Sequence, residues 1–141
     1  MSDLKLLDTN KLIYLACPYS DESYDVKLQR YKAANRALAQ LSMGGFFVFS
    51  PISMCHQAAQ DHDLPGDFEY WSDLDLVMLS RCDCLLVLKV EGWNKSYGVV
   101  SEIAMAKAMR MPILYFGKEE LGIWINKERA KAEKSSIEWR F

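Results

Sequence analysis

Glu102 stands where a carboxylate is expensive. The run Ser96-Tyr97-Gly98-Val99-Val100-Ser101-Glu102-Ile103-Ala104-Met105-Ala106 reads as a turn opening into a helix. Val99, Ile103 and Ala106 recur at i, i+4 and i+7, so they share one apolar stripe. Helical rotation places Glu102 at or beside that stripe. An ionised carboxylate there is heavily penalised unless something pairs with it or uses it. Asp75 has the same character. It stands among Trp71, Leu74, Met78 and Leu79, whereas Ser72, Asp73, Ser80 and Arg81 mark the polar side of its segment. A partnership with Arg81 or a loop N–H would also account for it. Two inward carboxylates suit glycosidic cleavage: one attacks or stabilises the anomeric carbon and the other handles the leaving group's proton. Crowding them in a dry site drives their pKa values apart and separates the roles.

Other groups offer weaker signals. Tyr14, in an apolar run, is either core or a holder for a carboxylate. Ser96 and Gly98 precede a helix. They form an N-cap and a tight turn, or they present free N–H groups to a phosphate or a ribose hydroxyl. No G-x-G-x-x-G and no Gly-Lys-Ser/Thr occurs, which argues against a standard dinucleotide or ATP-hydrolysing site. His56 and His62 lie near Asp61, Asp63 and Asp67 at a spacing that fits no zinc pattern; contact with substrate is the preferred reading. Trp71, Trp93 and Tyr19 could stack on a planar base or simply pack. Asp83 reads as a structural residue that caps a turn or orients a loop.

The elements that must position these groups follow from periodicity and punctuation. Lys11–Ala16 is a short strand ended by Cys17-Pro18. Glu22–Leu41 is helical and is closed by Gly44-Gly45. Residues 46–49 form a second, fully apolar strand. Ser50-Pro51 opens a long polar loop to about Asp67 that holds both histidines. Phe68–Arg81 is a helix with Trp71, Leu74 and Met78 on one face. Asp83–Val90 is a third strand, Gly92–Ser96 a loop, Gly98–Arg110 a helix and Pro112–Phe116 a fourth strand. Glu119–Lys134 is a last helix, and a fifth strand is sketched at Ile137–Phe141. Short strands without alternation are buried on both faces. The expected architecture is therefore α/β: a doubly wound, flavodoxin- or Rossmann-like parallel sheet of four to five strands, with helices on both faces. Ligands in such sheets bind beyond the carboxyl ends of the strands. That edge gathers Cys17-Pro18-Tyr19-Ser20, Ser50-Pro51, Glu91–Ser96 and Gly98.

Composition narrows the function. The 141 residues are half hydrophobic and 26% charged, as in one ordinary globular domain spanning 1–141. A net charge of −2 argues against binding a nucleic-acid backbone. The basic run Lys127–Lys134 contains Glu128 and Glu133 and reads as a solvated helix face. No apolar run is long enough to cross a bilayer, and Met1–Asn10 lacks the apolar core of a secretory signal. The expected setting is the cytoplasm. Cys17 and Cys55 stand alone, and Cys82 and Cys84 point to opposite faces of a strand, so all four read as structural thiols.

The motifs Ile13-Tyr14-Leu15-Ala16-Cys17-Pro18-Tyr19-Ser20, Ser50-Pro51-Ile52, Cys82-Asp83, Gly92-Trp93 and Ser96-x-Gly98-x-x-x-Glu102-Ile103-x-x-Ala106 occur in this order over residues 11–116. In this the chain resembles the nucleoside 2-deoxyribosyltransferase-like superfamily, and within it the uncharacterised DUF1937 family. The resemblance implies that Glu102 is the nucleophile that attacks C1′ of the sugar. It implies that Asp75, eight residues before Asp83, assists the leaving base, and that Tyr14 hydrogen-bonds the nucleophile. Ser96 would lie where related nucleotide N-glycosidases contact a 5′-phosphate. Those hydrolases carry a glycine- and arginine-rich loop after the first strand, whereas this chain has Cys17-Pro18-Tyr19-Ser20. The expected substrate is a small nucleoside or nucleotide, cleaved or transferred at its N-glycosidic bond without a metal or organic cofactor. Pro18, Tyr19, Ser20, Ser50, His56, Trp93, Ser96 and Gly98 are the expected binding residues, and a homo-oligomer is implied. A non-catalytic nucleotide sensor and an NAD-type glycohydrolase are the alternatives.

Overall fold

The computed structural model describes residues 11–134. Its elements run β1 (Leu12–Ala16), α1 (Tyr24–Met43), β2 (Phe47–Phe49), α2 (Pro51–Asp61), α3 (Phe68–Ser80), β3 (Cys84–Leu88), α4 (Tyr97–Ala108), β4 (Ile113–Phe116) and α5 (Lys118–Lys134), with a 3-10 turn at Trp93–Lys95. The four strands form one parallel sheet in the order β2-β1-β3-β4. Tyr14 stands between Phe49 and Leu85 in register, and Ala16 opposite Val87. The fold is the expected doubly wound α/β sheet. The strand sketched at Ile137–Phe141 lies outside the described residues.

Strand side chains alternate, so each strand feeds two cores. Ile13, Leu15, Cys84, Leu86 and Leu88 pack with Ala34, Ala37 and Leu41 of α1 and with Leu121 and Ile125 of α5. On the other face Tyr14, Ala16, Leu85 and Val87 pack with Leu79 of α3 and with Val99 and Ala106 of α4. This second face matters for chemistry, because it sets Tyr14 against the two carboxylate-bearing helices. Asp83 has the structural duty expected of it: its N–H donates to Leu12 O at 2.7 Å, and its Oδ2 accepts from Leu12 N at 2.7 Å.

Two expectations change. The segment after Ser50 is not a long loop, since α2 occupies Pro51–Asp61. Ser50 is its N-cap and Pro51 its first-turn proline, a pairing that pre-sets the helical φ where no N–H is needed. On α3 the buried residues are Asp75 and Leu79, whereas Leu74, expected inside, is exposed. The helix is rotated so that its packing against α4 and β1 uses the Asp75 side. Lys127 and Arg129 are exposed on α5 while Glu128 is buried. Among the described residues, no helix is long and apolar enough to cross a membrane.

Candidate active site

Three side chains from three elements meet behind one cavity. Tyr14, wholly buried, donates from its hydroxyl to Oε2 of Glu102 at 2.5 Å. Glu102 is only 5% exposed and lies on the stripe of α4 with Val99 and Ala106. Asp75 is 6% exposed on α3. Its Oδ1 is buried, and no described residue offers it a hydrogen bond. A native fold seldom tolerates such an orphan unless a ligand or solvent uses it.

The electrostatics follow from this burial. Desolvation pushes Glu102 up to about 8; the Tyr14 hydrogen bond pulls the other way and the Asp75 charge adds to the rise. Desolvation alone lifts Asp75 to about 6. Tyr14 is held far above its ordinary value, first by burial and then by the Glu102 charge, so it is a permanent donor. Near neutral pH the two carboxyl groups therefore share one proton. Burial favours that proton on Glu102. Hydrogen bonds from a ligand to the Glu102 carboxylate would offset that preference and leave the proton on Asp75.

The cavity holds about 530 Å³, within the roughly 300–1,000 Å³ typical of small-molecule sites. Its floor is Leu15, Ala16 and Cys17 at the end of β1, with Asp75 and Glu102. One wall is α2, with Pro51, Ile52, Cys55, His56 and Ala59. A second is the start of α3, with Asp67, Phe68, Glu69 and Trp71. The third is Lys95, Ser96, Tyr97 and Gly98 at the start of α4. This is the carboxyl edge of β1, beside the reversal of strand order between β1 and β3, where open α/β sheets bind ligands.

Each wall is built from local rules. Ser96 caps α4, its Oγ accepting from Val99 N at 3.2 Å. The N–H groups of the next two residues lack an intrahelical acceptor. Gly98 permits close approach of two helices, because a Cβ there would sit 3.1 Å from Phe68 Cδ1. On α2, His56 is buried; its Nδ1 pairs with the Tyr19 hydroxyl at 2.5 Å, and its ring stacks on Tyr31 at 3.9 Å. Desolvation and then Lys27 hold its pKa below the ordinary value. Arg30 ties the loops together, donating to Ser20 O at 2.9 Å and Glu91 O at 3.2 Å. Burial pushes Cys17 up to about 12, and burial followed by the Asp75 charge raises Cys55, so neither is a ready thiolate.

The cavity thus gathers Glu102, Asp75, Tyr19, Ser20, His56, Ser96 and Gly98 from the residues singled out in the sequence, with Tyr14 directly behind Glu102. Pro18, Ser50 and Trp93 do not line it. Pro18 is buried, Ser50 spends its hydroxyl on Ser53 at the α2 cap, and Trp93 packs against Tyr115 with ring centroids 5.8 Å apart. Cys55, Phe68, Glu69 and Tyr97 join the walls without an expected role, while Lys95 belongs to the Glu91–Ser96 segment expected at this edge. Cys55 was hidden by reading α2 as loop. Lys95 had a signal, since it directly precedes the helix cap. Among the described residues no group of three His, Cys, Asp or Glu is arranged to hold a metal, and His62 is the exposed C-cap of α2.

A family model described as a domain of unknown function, DUF1937, matches residues 11–118, well over half of the chain. No curated protein matches it. The chain belongs to the DUF1937 family.

Proposed function

We propose that this member of the DUF1937 family cleaves the N-glycosidic bond of a nucleoside or nucleotide through a covalent glycosyl-Glu102 intermediate. The observation that carries the reading is the buried dyad: Glu102 held by Tyr14, with Asp75, whose buried Oδ1 has no hydrogen-bond partner among the described residues, lining the same cavity. The resemblance to the nucleoside 2-deoxyribosyltransferase-like superfamily supports the same roles.

The chemistry runs in two steps. The ionised carboxylate of Glu102 attacks C1′ while the C1′–N bond breaks and its electron pair leaves with the base. Asp75 delivers its proton to the departing nitrogen. Tyr14 keeps its hydroxyl on the oxygen that does not attack, fixing the carboxylate's orientation. In the second step water, or a second base, attacks C1′ from the vacated side, the C1′–O bond to Glu102 breaks with its electron pair returning to the carboxylate, and Asp75, now ionised, takes the proton released. Configuration at C1′ is retained. Water as acceptor makes a hydrolase and a base makes a transferase. None of these steps calls on a metal or organic cofactor.

A homo-oligomer is part of the same reading, and apolar side chains on the helices of the dyad are available to it. Tyr70, Leu74 and Val77 on α3 and Tyr97 and Val100 on α4 are all exposed. Four free thiols suit a reducing cytoplasm. The test of the activity is incubation with a panel of nucleosides, nucleotides and NAD, with free base detected chromatographically. Base release by wild type and none by Glu102→Gln is the expected result. Equal release by both would overturn the nucleophile's assignment. Ligand-induced thermal stabilisation without turnover would replace the enzyme reading with a binding module.

A further inference from the structure

The cavity is electrically lopsided. Its α3 wall carries Asp67, Glu69 and Asp75, whereas its α4 wall carries Lys95 and the helix N-terminus. Asp67 is the telling residue. It occupies the N-cap position of α3, where an aspartate ordinarily accepts from the first turn, yet its side chain makes no cap hydrogen bond. It lines the cavity instead. An independent sign of a ligand is the buried, unpartnered Oδ1 of Asp75 on the same wall.

Resting on the glycosidase reading above, we infer that the α3 wall selects a base bearing an exocyclic amino group, such as adenine or cytosine, over its carbonyl counterpart. Asp67 is the residue that reads it.

The spacing suits one heterocycle. Asp67 and Asp75 are eight residues apart, about 12 Å along the helix. Two hydrogen bonds of about 3 Å each leave about 6 Å between them, room for a single planar base. Trp71, four residues from each and also on the cavity wall, offers the face on which it stacks. Asp75 then meets the ring nitrogen that must be protonated, and Asp67 meets the far edge. An ionised carboxylate only accepts hydrogen bonds. It is satisfied by an amino group and repelled by a carbonyl oxygen, so replacing one with the other costs the contact and leaves two acceptors facing each other. The sugar's 5′ end falls toward Ser96 and Lys95.

The test compares kcat/KM for adenosine against inosine and cytidine against uridine, in ribo and 2′-deoxy forms. Wild type is expected to favour the amino-bearing member of each pair by about tenfold, the worth of one charge-assisted hydrogen bond at a partly open site. Asp67→Ala is expected to abolish the preference, slowing the amino-bearing substrates and relieving the repulsion of the carbonyl-bearing ones. Asp67→Asn, which can donate as well as accept, is expected to raise the carbonyl-bearing ones. Equal wild-type rates within each pair, or a uniform loss in Asp67→Ala, would overturn the inference while leaving the glycosidase reading intact. Absence of base release from every substrate would instead sink the glycosidase reading. Calorimetric binding of free adenine and hypoxanthine then still reads the wall: tighter adenine binding, lost in Asp67→Ala, supports it, and equal binding overturns it.

Discussion

The hydroxyl of Tyr14 donates to Oε2 of Glu102 at 2.5 Å, joining the first strand to a helix 88 residues later in the chain. Both groups are buried, so each is the other's means of staying there. The tyrosine gains an acceptor and the carboxylate gains a donor in place of water. Phenylalanine at position 14 would leave the packing almost unchanged and orphan the carboxylate. Tyr14→Phe is expected to lower kcat/KM roughly 10- to 100-fold, the value of a hydrogen bond to a charged group. Because that bond lowers the Glu102 pKa, the variant's alkaline limb should move to higher pH. A pH profile of base release separates this from a simple loss of stability.

The shared proton sets the pH dependence of the wild type. Productive chemistry needs Glu102 ionised and Asp75 protonated, that is, one proton between them. Below about 6, the value to which Asp75 is raised, both carboxyls hold protons and the nucleophile is lost. Above about 8, the value to which Glu102 is raised, both are ionised and the acid is lost. A bell-shaped kcat/KM profile with its maximum near pH 7 is expected. A flat profile across this range would contradict the dyad.

Asp75→Asn keeps the shape of the side chain and removes its proton-transfer ability. The expected loss is about 10²- to 10⁴-fold in kcat for substrates whose base needs protonation. Substrates with activated leaving groups should lose far less. Equal losses for both kinds would assign Asp75 to binding instead.

Burial of Glu102 also leaves a mark on stability. Its folded pKa, about 8, lies above its ordinary value of 4.5, so the folded state binds the proton more tightly than the unfolded chain. That contribution is fully present below about pH 4.5 and is lost as pH rises through about 8. Glu102→Gln removes the titration while its amide oxygen can still accept from Tyr14. The variant is expected to be more stable than wild type above pH 8, by roughly 3–5 kcal/mol, with the gap closing toward pH 5. Urea denaturation at both pH values measures it.

Gly92 is required by its conformation and its neighbour. Its φ is +89°, and a Cβ there would sit 2.6 Å from Arg30 Nη2. That guanidinium ties the loops after β1 and β3 to each other. Gly92→Ala is expected to destabilise the protein by about 1–2 kcal/mol from the left-handed backbone alone and to raise KM, because the loop carrying Lys95 and Ser96 shifts. Denaturant midpoints and steady-state kinetics report the two effects separately.

Much of this protein was legible in its sequence because local rules and tertiary demands agreed. The apolar run DCLLVLKV is buried on both faces at Cys84–Leu88, as a covered parallel sheet demands, whereas the equally apolar run 46–49 became an edge strand with Phe47 exposed. Helical periodicity marked Glu102 and Asp75 as carboxylates among apolar neighbours, since a 3.6-residue repeat leaves them no outward direction. The Ser50-Pro51 pair was ambiguous for a physical reason: the same two residues open a turn or cap a helix, and only the contact of α2 with α1 and the cavity decides. The sequence could also say that Asp75 points inward, but not that its Oδ1 finds no partner among the described residues, because satisfaction depends on every element around it. Residues 14, 75 and 102 meet through strand order and helix rotation. Those follow from the packing of two cores against one sheet, which no local pattern encodes.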